Sequence, residues 1–475
     1  MSNLLASLRS SGNALGVFQD ALGTIQNNID NSSTPGYAKQ RVNLEAQPFD
    51  LAGGLAGGVA ARGLDDSRNQ FAEEEVRRQV NTLGRLDAES QAVSSIEKLF
   101  DVSGTTGLPA ALTQLFSSFS AWSVDPSGTS ARQTVLDSAG QFADRVRALA
   151  GSLKSVSQSL NDQITSTVEQ VNSLTAQVQQ YNVERRKLTQ PDPGLDARVN
   201  SALEQLAQLA DFTAVKQDDG TITVLSGGGS PLVIGEHKYQ ISADEAPGGT
   251  PPNPLAPAAA RVLDWQGGEI TGQIAGGTLG GLLDVRNRVL PSITGDAQQP
   301  GSLNRLAQGF ADTVNQILQS GTVSSDAGAA RGSALFIYDS SDPTAAAGSL
   351  RLNPNLTTAQ LAPVDSAGNA NGNANLLASL GNATATTGKI DGLGPVAFLS
   401  QIAAFVGQES ATAASGDQSQ QQVVAQARTL RDQVSGVSLD EQAISLIEFQ
   451  RSYQATARVL TVLSDLTQTT IDLIK

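Results

Sequence analysis

The sequence contains no cysteine, one methionine (Met1) and one histidine (His237). Disulfides, thiolate metal sites and a cysteine nucleophile are therefore excluded, and a chain nearly free of oxidisable sulfur tolerates an extracellular setting. Aromatic residues make up 4% and charged residues 16%. The charged share is well below the quarter or so usual in soluble domains. Long apolar runs are missing too. The longest, Leu51 to Ala61, is interrupted by four glycines and is too short to span a bilayer. The first 30 residues carry one cation, Arg9, and no continuous apolar core, so no cleavable signal peptide is read there. Basic surface is scarce: the net charge is −15 and the pI about 4.6. That balance argues against nucleic acid and against insertion into or binding at an anionic membrane.

The same scarcity removes footholds for catalysis. His237 sits between Glu236 and Lys238 in a strand-like stretch, and no Gly-x-Ser-x-Gly elbow accompanies it. Gly227-Gly228-Gly229 lacks the Lys-Ser/Thr of a phosphate loop. Glu73, Glu74 and Glu75 followed by Arg77 and Arg78 are expected to form a solvated, i,i+4 ion-paired helix face. No catalytic, metal or cofactor-binding set emerges, and the expectation is a protein that is not an enzyme.

What fills the chain instead is neutral polar residues and helical seams. Leu15, Phe18, Leu22, Ile25 and Ile29 follow a 3,4 spacing, with Leu4 and Leu8 extending it backwards, so residues 3–31 read as a coiled-coil helix. Three glycines and a neutral polar face make it a poor solitary helix, one that needs a partner. Pro35 stops it. An alternating stretch (Val42, Leu44) and a Gly-rich segment, 53–63, follow. Helix resumes from Asp65 to about Trp122, with a stripe of Leu83, Leu86, Val93 and Phe100 and a second helix opening near Pro109. The longest element spans about 129–188, with a stutter near Ile164 and Val168. Residues 199–206 start another short helix.

From Asp211 to about Gly281 the period becomes two. A hairpin on Asp218-Asp219-Gly220 is expected, with further strands at 231–234, 238–241 and 269–274 and a Pro-rich loop at 247–257. Helices return at 279–290 and 303–319, residues 320–395 read as loops, and separate helices are expected at 398–406, 418–434 and 439–474. Ser438 and Glu441 form a capping box for the last, whose seam is Leu446, Phe449, Tyr453, Leu460 and Leu463. The fold class is thus mainly α with a smaller β part: paired terminal coiled-coil helices, a helical-bundle core and an inserted β-rich domain. The expected division is 1–45 (axial helix and turn), 46–210 (long-helix core), 211–281 (β-rich), 282–434 (core return, loop-rich over 320–395) and 435–475 (axial helix).

Three blocks carry a resemblance. Ala21-Leu22-x-Thr24-Ile25-Gln26-Asn27-Asn28-Ile29-x-Asn31 leads into Thr34-Pro35-Gly36-Tyr37. Gly280-Gly281-Leu282-Leu283-x-x-Arg286 precedes Leu306-Ala307-x-x-Phe310-Ala311-x-x-Val314-Asn315. Ser435-Gly436-Val437-Ser438-Leu439-Asp440-Glu441 precedes Leu446-Ile447-x-Phe449-Gln450-x-x-Tyr453-Gln454-Ala455-x-Ala457-Arg458-Val459. In this order they resemble the rod, hook and hook-associated axial proteins of the bacterial flagellum, and among them the members at the hook–filament junction. One departure is visible. Leu335-Phe336 is followed almost at once by 350–356, so the extra β domain of larger members is absent or very small.

The resemblance implies a homo-oligomer in a tubular assembly, flanked by hook protein and by a second junction protein next to the filament. It implies export without a cleaved signal peptide to the extracellular flagellum, with an export chaperone holding the C-terminal helix. It also implies assembly through Leu15, Phe18, Leu22, Ile25, Ile29, Pro35, Gly36, Tyr37, Leu446, Phe449, Tyr453, Leu460 and Leu463. The terminal helices are expected to be disordered in the free subunit, because an uncovered seam cannot offset chain entropy. Two alternatives stay open: another axial subunit (hook, rod or filament), or a secreted adhesin or glycan-active enzyme with helical stalks.

Overall fold

The computed structural model describes residues 2–50, 55–100, 107–190, 192–246, 257–382 and 387–473. The expected loop at 247–257 falls almost wholly outside these residues. The N-terminal helix α1 (Ser2–Asp30) leads into a ribbon of β1 (Gln40–Ala46), β2 (Phe49–Asp50), β3 (Leu55–Ala56) and β4 (Val59–Asp66). In it β1 pairs antiparallel with β4, with a register shift between Val42 and Leu44. The segment from Asp65 is therefore strand and turn before α2 (Gln70–Glu97) begins, capped by Asn69, whose side chain accepts from the Ala72 amide. Its buried face is Val76, Val80, Gly84, Ala88, Ala92, Val93 and Ile96, while Leu83 and Leu86 are only half-buried. Small residues win the deep face because neighbouring helices approach closely there. A Cβ on Gly281 would lie 2.3 Å from the Arg85 carbonyl oxygen.

Next come α3 (Gly107–Val124) and α4 (Thr129–Arg185), whose 57 residues make a rod about 86 Å long. Its buried positions run on through Leu160, Ile164, Val168, Val171, Leu174, Val178 and Tyr181. The expected stutter does not interrupt packing, because α4 changes partners along its length and never lies on a single seam. It meets α3 and α9 (Ala346–Ser349) in one part, and α5 (Pro193–Leu209) and the strands β7 (Pro231–Ile234) and β9 (Ser242–Glu245) in another. Pro193 and the Asp192 cap start α5.

The expected hairpin is present as β5 (Phe212–Lys216) and β6 (Ile222–Ser226), in a four-stranded sheet ordered β5-β6-β7-β8, with β8 being His237–Lys238. His237 is exposed on that strand. β9 pairs with β10 (Ala260–Leu263). The strand expected at 269–274 does not form. Only Glu269 bridges to Leu263, and Thr271–Gln273 is a 3₁₀ turn that buries Ile270 and Ile274, four residues apart. The expected strand at 238–241 is likewise cut to its first residue, Lys238, which pairs within His237–Lys238.

The motif ending at Arg286 has a structural reason. After α6 (Gly277–Asp284) the chain makes a π turn over Val285–Val289 before α7 (Leu290–Thr294). That turn sends three consecutive polar side chains to three elements. Arg286, buried, donates to Asn161 Oδ1 of α4 (2.8 Å) and to the Ala258 carbonyl (2.7 Å). Asn287 holds both backbone groups of Ala260, and Arg288 reaches Asp284 and Glu409. One continuous core results, in which Phe116, Phe142, Phe310 and Phe336 meet edge-on, with α8 (Ser302–Ser320) between them.

Residues 320–395 are mostly loop, as expected, with β11 (Phe336–Ile337), β12 (Arg351–Leu352) and α10 (Gly372–Ser379), a helix absent from the sequence reading. β11 pairs directly with β12 across a short connection. The two helices expected at 398–406 and 418–434 are a single one, α11 (Pro395–Ser435). α12 (Leu439–Asp472) closes the described chain. Among the described residues no helix is long and apolar enough to cross a membrane.

Candidate assembly interface

The two terminal helices pair antiparallel. A Cβ on Gly12 would lie 3.9 Å from Leu460 Cδ1, the rings of Phe18 and Phe449 are 6.2 Å apart, and Asn28 meets Gln442. The expected seam is displaced on α1. Its buried line is Val17, Ala21, Ile25 and Asn28, flanked by half-buried Leu15, Phe18, Leu22 and Ile29. The displacement follows from a second neighbour, because α1 packs on the β1–β4 ribbon as well as on α12. On α12 the expected Leu446, Phe449, Tyr453, Leu460 and Leu463 all face the pair and are all half-buried. Gln442 is the one described residue of α12 that is buried.

Polar chemistry fixes the register. Asn28 Nδ2 donates to Gln442 Oε1 (2.9 Å) and to the Gln40 carbonyl (2.8 Å). Its Oδ1 accepts from the Gln40 amide (2.9 Å) and from the Tyr37 hydroxyl (3.0 Å). A buried amide satisfied on both sides tolerates only one alignment of the helices. Asn28 and Gln442 were missed as site residues. The one signal that pointed to Asn28 was its place inside the N-terminal motif.

Thr34-Pro35-Gly36-Tyr37 is the elbow between α1 and the body. Gly36 has φ +75°, and a Cβ there would sit 2.3 Å from the Ala197 carbonyl oxygen and 2.9 Å from the Ser201 nitrogen of α5. The Gly36 carbonyl accepts from Arg68 Nη2 (2.7 Å). Pro35 is exposed, so its role here is confined to the turn. Burial pushes the Tyr37 hydroxyl up to about 12.

A second crossing is tied at the same level. The buried Ser435 accepts from the Lys39 amide through its carbonyl (2.9 Å) and from the Asn69 amide through Oγ (3.1 Å). Glu441 does not close the expected capping box. The Ser438 side chain accepts from the Glu441 amide, but the Glu441 carboxylate is spent on Lys39 (2.9 Å) and Arg41 (3.5 Å). The Lys39 hydrogen bond holds that carboxyl below its ordinary range. Arg68–Glu73 (2.7 Å) and Arg431–Glu204 (2.8 Å) continue the network into α2, α5 and α11. Elsewhere, three carboxylates of the β-rich part are held in ion pairs. Asp219 and Glu236 share Arg186, and Asp244 clasps Arg261.

A family model described as the flagellar hook-associated protein FlgK helical domain matches residues 93–336, just over half of the chain. The chain belongs to that family. A second model, the flagellar basal body rod FlgEFG protein C-terminal, matches residues 419–473, which is the end of α11 and all of α12. Flagellar hook-associated protein 1 of Bacillus subtilis (strain 168) is 26% identical over 98% of this chain and 97% of its own length. The Salmonella typhimurium protein of that name is 27% identical over 66% of this chain, and the match spans 56% of its length. A solved structure, the flagellar hook junction protein FlgK from Burkholderia pseudomallei, is 26% identical, with a TM-score of 0.45 over 56% of this chain and 46% of that one. The family is one of structural proteins of the external flagellum, and the mainly helical architecture with paired ends is this chain's version of it.

Proposed function

We propose that this chain is a structural subunit that forms the junction between hook and filament and self-assembles through its terminal helices. The observation that carries the reading is an uncovered second face on α12. Ile444, Ile447, Val459, Val462 and Leu466 lie on the side opposite the α1 seam, each about half exposed (Val462, 58%). They form two patches on that side, Ile444 with Ile447 and, about five turns beyond Ile444, Val459 with Val462 and Leu466; Glu448, Arg451 and Arg458 lie between them. A helix apolar on two sides with one partner in its own chain asks for neighbours on the other.

In this reading residues 1–45 and 435–475 form the axial part, 46–210 and 282–434 the helical core, and 211–281 an outer β-rich insertion. The neighbours are further copies, hook protein and a second junction protein. An export chaperone covers α12 from Leu446 to Leu463 before assembly, a helix-in-groove mode suited to such a seam. Export proceeds without a cleaved signal, and the subunit carries out no catalysis. The test is to add purified protein to isolated hooks and locate it by immunoelectron microscopy. A short, self-limited zone at the distal end is the expected outcome. Unlimited growth, or no binding, overturns the junction reading.

A further inference from the structure

A groove of about 740 Å³ lies between α2, α5 and strand β5, outside the helix pair. Three features of its walls stand without partners. Arg68 Nη1 and Nη2 are used by Glu73 and by the Gly36 carbonyl, but Arg68 Nε is buried without an acceptor, Asp66 being 3.9 Å away. The guanidinium of Arg77 and the ammonium of Lys216 make no hydrogen bond or ion pair with any described residue. Glu73 and Glu74 lie near Arg77, yet Glu73 is committed to Arg68. Burial draws Arg77 below its ordinary range, as happens to a cation short of acceptors. β5 is also an edge strand, with Val215 46% exposed, so a row of backbone donors and acceptors faces the groove.

A buried donor without an acceptor, Arg68 Nε, with the half-buried Arg77 and the exposed Lys216 beside a free strand edge, describes a seat for an extended chain. We infer that this groove receives the β1–β4 ribbon of a second copy, which adds a strand to β5 and brings carbonyl or carboxylate oxygens to Arg68 Nε and Arg77. The inference rests on the self-assembly proposed above. The ribbon packs on α1 yet keeps Leu44, Phe49 and Leu64 exposed, and two strands alone are marginal in water. It carries the exposed Asp65, held by Asn43 (3.0 Å), an acceptor that Arg77 could share at short range even though two copies of net charge −15 repel over longer distances. The subunit's own ribbon cannot serve. It enters α2 at the groove's rim through Asp66 and runs away along α1, pinned where Ser10 Oγ donates to the Gly57 carbonyl (2.6 Å).

The absence of cysteine gives a clean background for the test. Full-length Val215→Cys protein is mixed with a differently tagged copy carrying Asn43→Cys, Leu44→Cys or Leu64→Cys. The mixture is assembled on isolated hooks and treated with a short bismaleimide. The expected result is a mixed-tag dimer with at least one ribbon cysteine, at least tenfold above either variant alone. Arg77→Glu in the Val215→Cys copy should remove it and Arg77→Lys should keep it, with circular dichroism verifying that both are folded. A distal zone without the mixed dimer overturns the docking and leaves the junction reading intact. Failure to form any zone overturns both.

Discussion

Replacing Gly36 with alanine tests whether the elbow seats the axial helices on the body. Two costs apply. At φ +75° a Cβ brings about 1 kcal/mol of backbone strain. It would also stand 2.3 Å from a backbone oxygen and 2.9 Å from a backbone nitrogen of α5, neither of which can rotate away. Restoring contact distance means lifting the turn by about an ångström, which stretches the Arg68 bond to the Gly36 carbonyl. Loss of a charge-assisted bond of this kind costs about 1.5–3 kcal/mol. The sum is about 3 kcal/mol against the seated state. Gly12→Ala is the control. The added methyl meets only Leu460 at ordinary contact distance and sits mid-helix, where alanine is favoured by about 1 kcal/mol. The assay is amide exchange at Lys39, whose N–H is donated to the Ser435 carbonyl and is released when the elbow opens. Gly36→Ala should speed that exchange roughly a hundredfold, at about 1.4 kcal/mol per tenfold, while Gly12→Ala leaves it equal or slower. Unchanged exchange in Gly36→Ala, or equal acceleration in both variants, refutes the elbow.

The remaining predictions concern the same interface. Asn28→Leu should cost about 2–4 kcal/mol because Gln40, Tyr37 and Gln442 lose a buried partner; Gln442→Leu should cost less, and the double variant less than the sum, as read in a double-mutant cycle on urea unfolding. Glu441 has a depressed carboxyl, so its contribution is present above the unfolded value of 4.5 and is lost as pH falls through the folded one; Lys39→Met should flatten that acid limb in a melting-temperature profile. Tyr37 is raised, so its contribution is full below 10.0 and disappears as pH rises towards about 12; Tyr37→Phe should make the alkaline limb shallower in the same profile, leaving the share of the likewise raised Tyr181 and Tyr338. Val459→Asp with Val462→Asp should change the stability of the free subunit by about 0.5 kcal/mol or less, both sites being half exposed, yet prevent the distal zone on isolated hooks.

The fold was legible where one periodicity served one neighbour. The Asp218-Asp219-Gly220 hairpin formed because turn chemistry and alternation agree locally. The terminal seams were legible as helices but not in their depth. A 3,4 spacing names a line of residues, whereas α1 is gripped from two sides, and the small Ala21 takes the centre where Leu22 was expected. Small residues misled elsewhere in the same way. Separate helices were expected at 398–406 and 418–434, and residues 407–417 between them contain Gly407 and Gly416. Yet a Cβ at Gly416 would lie 3.2 Å from Leu86, so that glycine marks where α11 closes on α2 and the helix passes straight through. Strand expectations failed at 269–274 because a 3₁₀ turn also buries two isoleucines, and alternation cannot tell four-residue spacing from two twos.

For the interface the limit is of another kind. Apolar periodicity located the helices that pair, but the groups that set their register and seat them on the body are polar: Asn28, Gln442, Ser435 and Glu441. Each sits where its side chain meets a residue tens to hundreds of positions away, and no local spacing encodes that. Glu441 is the sharpest instance. Its place three residues after Ser438 predicts a bond back to its own helix start, and the structure instead spends it on Lys39 and Arg41. The competing contact prevails because it pairs the carboxylate with two cations, one of them the nearly buried Lys39 ammonium, which would otherwise stand without a counter-charge. Conversely, glycine at position 36 was legible as a turn and illegible as a contact. Its requirement comes from α5, whose backbone lies against it with no room for one carbon. Motif residues of this sort hold one surface against another, and substitution there should be felt in assembly before it is felt in the fold of the body.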